Sequence, residues 1–282
     1  MLKVLLLLNL IWISLNHDQC LAHHPGIEDE EFYVDFIPVT RDRAQHSCSG
    51  FFLQAYLFIT SADCVYNNTP IRFHFTYQYK NITNGKKKLI QKYSTANNVT
   101  FIVHPNYSIN GNNIENNIAL IEMKRPIKPV QVLKFYPLDS TDIMRSLNSR
   151  KCKTIIANDK ENSLKTIDVN FTIGENCLCK FNNNSNNNIC VENLCITRKG
   201  SPLICDGKAV GIFQFYGYCN STGNYNNDSK PYAILNCNTE YGISMFTNLF
   251  PNMPWITRHT KEPFPGLFQR SASYWYNCND FY

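Results

Sequence analysis

His46-Ser47-Cys48-Ser49-Gly50-Phe51-Phe52-Leu53, followed by Leu57-Phe58-Ile59-Thr60-Ser61-Ala62-Asp63-Cys64, is the stretch from which the fold is read. Two cysteines sixteen residues apart bracket an apolar run of aromatic and β-branched residues, the composition of buried strand. Similar short runs recur between turn-rich breaks at Ile71 to Tyr79, Val99 to Val103, Ile118 to Met123 and Val210 to Phe215. Helical periodicity is absent until Asn248 to Arg258, where Pro251 and Pro254 restrict a terminal helix to short turns or to a start at a proline. The expected class is all-β. Asn182 to Asn188 has no core-forming pattern and reads as an exposed loop.

Composition agrees with a globular body. The chain has 282 residues, 44% hydrophobic and 17% charged, which excludes a disordered tail protein or a coiled coil. A net charge of +5 is mild, and the triplet Lys86-Lys87-Lys88 reads as a solvated loop, so no nucleic acid is expected as a partner. Lys3, the apolar run Val4 to Leu15 and the small residue Ala22 after Cys20-Leu21 read as a secretory signal peptide over residues 1–22. Asn9 breaks that run, and no later stretch reaches the ~18 apolar residues of a membrane helix. The expectation is a secreted, extracellular protein with no membrane partner. The 12 cysteines fit that compartment, as do sequons at Asn67, Asn81, Asn98, Asn106, Asn170, Asn183, Asn220 and Asn227.

Three segments resemble the chymotrypsin-like (trypsin family) serine proteases. The opening stretch is similar to that family's first hairpin, which ends in Thr-Ala-Ala-His-Cys. His104-Pro105-Asn106-Tyr107 and Asn116-Asn117-Ile118-Ala119-Leu120-Ile121 resemble its His-Pro-x-Tyr and Asn-Asp-Ile-Ala-Leu stretches. Cys195-Ile196-Thr197-Arg198-Lys199-Gly200-Ser201-Pro202-Leu203-Ile204-Cys205 resembles Cys-x-Gly-Asp-Ser-Gly-Gly-Pro-Leu-x-Cys, with Val210-Gly211-Ile212 following at the right distance. The resemblance covers about residues 27–258. It implies two six-stranded antiparallel β-barrels packed side by side, a peptidase domain over residues 23–258 and an aromatic tail over residues 259–282.

The departures bear on function. In an active member a histidine takes the serine proton, an aspartate orients the histidine, and backbone amides stabilise the oxyanion. By the resemblance the histidine position is Asp63, the aspartate position Asn117 and the serine position Lys199. Loss of a whole triad costs on the order of 10⁶ in turnover in a related nucleophile system. The oxyanion glycine is replaced by Thr197. The aspartate that receives the new N-terminus on zymogen activation is replaced by Arg198, and no Arg-Ile-Val-Gly-Gly site precedes the first barrel. The base of the specificity pocket falls at Asn193, and Gln214-Phe215-Tyr216 stands where the family has Ser-Trp-Gly, so Tyr216 is expected in the pocket mouth.

The same register implies the bridges Cys48–Cys64, Cys152–Cys205, Cys177–Cys190 and Cys195–Cys219. Cleavage after Ala22 removes Cys20 and leaves Cys179, Cys237 and Cys278, an odd number. One reading is a Cys237–Cys278 bridge, with Cys179 idle or paired with Cys20 if cleavage is earlier. The other is a covalent dimer or mixed disulfide with a partner. His46 and His104 read as scaffold residues, and His23-His24 are too few for a metal, so no cofactor or metal is expected. The tail aromatics, among them Tyr274, Trp275 and Tyr276, either anchor an interface or pack back on the second barrel.

The resemblance therefore implies an inactive serine protease homologue of insect type. Its implied role is binding, as cofactor, decoy or regulator of active serine proteases or their inhibitors in immune or reproductive fluid. Two alternatives stand beside it. One is a residual or re-invented hydrolase; the other is a glycan- or surface-binding protein on the protease scaffold.

Overall fold

The computed structural model describes residues 32–39, 47–66, 72–80, 87–95, 98–110, 113–126, 132–135, 152–158, 163–173, 177, 188–192, 194, 198–219, 225–226 and 242–260. All of them fall in one compact unit, Glu31–Tyr282. Strands dominate it. The first half contributes β1 (Tyr33–Val39), β2 (Cys48–Gln54), β3 (Leu57–Thr60), β4 (Arg72–Lys80), β5 (Lys87–Thr95), β6 (Val99–Val103), the hairpin β7 (Ser108–Asn110) and β8 (Asn113–Glu115), and β9 (Ala119–Met123). The second contributes β10 (Lys134–Phe135), β11 (Cys152–Asn158), β12 (Ser163–Val169), β13 (Thr172–Ile173), β14 (Asn188–Glu192), β15 (Pro202–Cys205), β16 (Lys208–Cys219), β17 (Tyr225–Asn226) and β18 (Gly242–Asn248). A helix, α1 (Met253–His259), closes the described chain.

Two large sheets result. The first has seven strands in the order β5-β4-β1-β2-β3-β9-β6. The second has nine: six longer strands and the two-residue β10, β13 and β17. The all-β expectation holds, with one strand more than six in the first sheet.

The apolar run that opened the reading divides into β2 and β3 around a turn at Ala55-Tyr56. Every residue of β2 is buried, because both of its faces are covered. Successive side chains point to opposite faces. Cys48 and Phe52 enter the first core, where Phe36, Phe52 and Phe75 pack edge-on around Phe58 at centroid distances of 5.6 to 5.8 Å. Phe51, on the other face, meets Phe135 of β10, and β10 pairs with β16 of the second sheet. A strand sandwiched in this way has no polar face, so the sequence shows no alternation.

The second core gathers Val169, Phe171, Ile189, Val191, Leu203, Val210, Phe213 and Phe246. The bridges Cys48–Cys64, Cys152–Cys205 and Cys177–Cys190 are formed, as expected. Cys195, Cys20, Cys179, Cys237, Cys278 and the side chain of Cys219 lie outside the described residues.

Two local expectations are corrected. Lys87 and Lys88 are not loop residues: they begin β5, opposite Lys80 and Tyr79 of β4. Their strand is the outer one of its sheet, and lysines at a sheet edge discourage further strand pairing. The terminal helix begins later than Asn248. A 3-10 turn at Phe250–Asn252 precedes α1, and Pro254 sits in the first helical turn, where its missing N–H costs nothing.

Candidate functional site

Asp63, Asn117 and Lys199 come from three separate segments, and the fold brings them together. Asp63 lies on the 3-10 turn Ala62–Cys64 that follows β3, and the Cys48–Cys64 bridge ties this turn to β2. Asn117 is fully buried just before β9. Asn116, at φ 48°, turns the chain into it. Lys199 sits in the tight loop before β15.

The loop owes its shape to Gly200. At φ +92° it occupies the left-handed region, and a Cβ there would overlap the Ser49 carbonyl oxygen. Its N–H donates to the Phe213 carbonyl at 2.9 Å. The neighbouring Lys199 carbonyl accepts the Ser49 N–H at 2.7 Å and the Ser49 hydroxyl at 3.1 Å. The loop is thus fastened to β2 of one sheet and β16 of the other.

From this loop the Lys199 ammonium forms an ion pair with Asp63 Oδ2, with the two side chains 31% and 12% exposed. The other carboxylate oxygen, Oδ1, accepts the Ser61 hydroxyl. That hydroxyl also stands 3.0 Å from Asn117 Oδ1, so its single hydrogen is shared between two acceptors. Asn117 Oδ1 further accepts the Asp63 backbone N–H at 3.1 Å, while Asn117 Nδ2 has no hydrogen-bond partner. Thr247 of β18 donates to the Asn117 carbonyl at 3.1 Å and ties the site to the second sheet.

Tyr107 borders Asp63. Burial pushes its phenol well above the ordinary tyrosine range, and the charge of Asp63 adds to the shift. Its ring meets Tyr66 nearly at right angles, with centroids 5.0 Å apart. His104 lies apart from the ion pair, against Trp255 of α1 at 4.9 Å. Its Nδ1 accepts the Asn106 N–H at 3.2 Å, which places the ring proton on Nε2, and burial lowers its pKa. It is a scaffold histidine.

Beneath Lys199 the sequence reading missed a second charged pair. The Arg198 guanidinium is bound to the carboxylate of Asp35 on β1, and both side chains are mostly buried, at 17% and 18% exposure. Ser49 and Ser201 join their hydroxyls beside it at 3.0 Å, and Ser201 donates to the Arg198 carbonyl at 3.1 Å. Burial raises the Tyr33 phenol steeply, Asp35 raises it further, and Arg198 opposes both. A signal was there to find. Asp35 is the one charged residue in Phe32-Tyr33-Val34-Asp35-Phe36-Ile37, and a carboxylate inside a buried strand requires a partner.

Of the expected pocket residues, Asn193 lies outside the described residues, as does Thr197. Gln214 falls at an irregularity in the β16–β18 pairing and is buried, its amide donating to Asn188 Oδ1 of β14 at 3.2 Å. Tyr216 packs against the second core, and its hydroxyl occupies the space where a Cβ of Gly242 would stand. The sequons at Asn98, Asn106 and Asn170 are exposed, and the other five lie outside the described residues or their side chains. Among the described residues no cluster of metal-ligating side chains occurs.

No curated protein sequence is a significant match. The fold aligns with GrC at 18% identity and a TM-score of 0.57, over 83% of this chain and 95% of that chain. It aligns with the inactivated protease paralogue S-I1 of the scabies mite at 16% identity and 0.56, over 84% and 96%. HL collagenase aligns at 15% identity and 0.59, over 83% and 95%. With the trypsin family model matching residues 30–234, the chain belongs to the trypsin family.

Proposed function

We propose that the chain is a secreted, non-catalytic trypsin-family protein that acts by binding other proteins, as cofactor, decoy or regulator of active serine proteases. The observation that carries this reading is the ion pair between Lys199 and Asp63. Acyl transfer needs a nucleophile with a free electron pair and a base placed to take its proton. A protonated lysine offers no such pair, and the Asp63 carboxylate is already engaged by that ammonium and by the Ser61 hydroxyl. Asn117 cannot ionise. The ion pair and its hydrogen bonds occupy the groups that the chemistry would need free.

Secretion is supported by the three disulfides, which persist in oxidising compartments, and by the exposure of the three described sequons. Among the described residues no helix is long and apolar enough to cross a membrane. The scabies mite protein, described as an inactivated protease, carries a similar fold.

The test has two arms. The purified protein is assayed with fluorogenic peptide amides and a serine-reactive fluorophosphonate; no turnover and no labelling are expected. The tagged protein is also used to capture partners from its native secretory fluid, with mass spectrometry before and after reduction. Active serine proteases or their inhibitors are the expected partners. Peptide hydrolysis that disappears in Lys199→Ala would overturn the reading in favour of a re-invented hydrolase. Release of captured material by free sugar, with no protease-pathway protein present, would overturn it in favour of a glycan binder.

A further inference from the structure

We propose that Asn106 carries an N-linked glycan that roofs the Asp63–Lys199 site and keeps protein-sized partners away from it. The proposal rests on the reading of the chain as secreted, since the sugar is added only in the secretory pathway.

Asn106-Tyr107-Ser108 is an acceptor triplet. It lies at the turn between β6 and β7, and Asn106 is exposed. The sugar is attached to the emerging chain, so the folded protein must only leave the side-chain amide free and directed outward. Asn106 holds its turn with main-chain atoms. Its N–H donates to His104 Nδ1 at 3.2 Å, and its carbonyl accepts Asn116 Nδ2 at 3.0 Å. A substituent on the side chain disturbs neither bond.

The surroundings give the sugar a task. Tyr107, the middle residue of the triplet, packs against the core cluster that holds Ala62 and Cys64, the two neighbours of Asp63 on its 3-10 turn, and its ring meets Tyr66 just after that turn, so the exposed Asn106 stands beside the segment that carries Asp63. Among the described residues three large apolar side chains are exposed, and two of them flank this turn: Tyr66 at 45%, whose ring meets Tyr107, and Ile109 at 53%. These two side chains, one touching Tyr107 and one two residues beyond it, leave apolar surface that a polar cover would shield from water. A bulky, water-loving glycan anchored between them supplies one without closing the core. Asn98 stands at the opposite end of β6 and Asn170 follows β12, so neither is placed to cover these side chains.

Lys199, with a side chain 31% exposed, is the reporter for this roof. A small amine-reactive ester should reach it, whereas the same ester on a bulky polymer should not. The secreted full-length protein is mapped by glycopeptide mass spectrometry, and labelling of Lys199 by both reagents is measured in the wild type, Asn106→Gln, Ser108→Ala and Asn170→Gln. Occupancy at Asn106, with bulky labelling gained in Asn106→Gln and Ser108→Ala and unchanged in Asn170→Gln, supports the proposal. An unmodified Asn106 beside a modified Asn170 overturns it and leaves secretion standing. An occupied Asn106 whose removal leaves the ratio of bulky to small labelling unchanged overturns the roof. A chain recovered only inside the cell with no sequon modified overturns the secretion reading, and this proposal with it.

Discussion

Replacing Asp35 by asparagine removes the negative charge from the mostly buried Arg198–Asp35 ion pair. The shape of the side chain is kept, so the cost is electrostatic. Breaking a buried ion pair from one side costs about 3–5 kcal/mol, and the residual exposure of 17% and 18% puts this pair at the lower end, about 3 kcal/mol. For a domain of this size each kcal/mol moves Tm by about 2–4 °C, so Asp35→Asn should melt about 6–12 °C lower. The loss should be local first. Hydrogen exchange should rise at the Lys199 and Gly200 amides before it rises in the core strands. Two companion variants separate charge from packing. The exchange Asp35→Arg with Arg198→Asp should recover most of the loss, and Asp35→Leu with Arg198→Met should fall near the wild type, because an apolar pair carries no desolvation penalty. Melting is followed by circular dichroism. A Tm for Asp35→Asn within about 2 °C of the wild type would show that the pair contributes little to stability, since a drop that small corresponds to less than about 1 kcal/mol.

Other outcomes follow from the same geometry. Gly200→Ala should abolish secretion of folded protein, because its φ of +92° and the overlap with the Ser49 carbonyl place the cost at or beyond about 4 kcal/mol; secreted yield and a melt of any recovered protein check this. His104 has a lowered pKa in the fold, so the unfolded chain binds its proton first as pH falls. Its contribution is complete above the unfolded value of about 6.5 and is lost as pH drops from there through the folded value, so the wild type should lose more Tm than His104→Gln between neutral and mildly acidic pH. Opening the Cys152–Cys205 loop, with a sequence separation of 53, should cost about 4 kcal/mol in a urea titration, against about 3 for the 16-residue separation of Cys48–Cys64. Equal losses would show that the closed loop length does not set the difference.

Much of the scaffold was legible because its clues are local. Val99 to Val103 is a strand with the bounds read from its apolar run, and the three described bridges follow a register set by short motifs. Lys199, Asp63 and Asn117 could be assigned to one site because Gly200, Cys64 and Ile118 fix their positions along the chain. What was not legible depends on side chains meeting across long separations. Arg198 was read as a lost function at its own position, whereas the structure makes it the partner of a residue 163 positions earlier by the difference of their numbers, 198 and 35. Gln214 was assigned by register to a pocket wall; that its amide donates to Asn188 of β14, beside a pairing irregularity, is a contact that register does not reveal. Lys87 and Lys88 were read by charge, while strand membership depended on a partner strand that charge does not reveal.

The contact between Tyr216 and Gly242 also constrains the order of future change. With the tyrosine hydroxyl standing where a Cβ of residue 242 would be, a side chain at Gly242 requires the end of the Tyr216 side chain to move aside. Tyr216 cannot simply shrink first, because its ring packs against the second core and its removal leaves a void there. The two positions are therefore tied to each other, and a change at one is expected to arrive together with a change at the other.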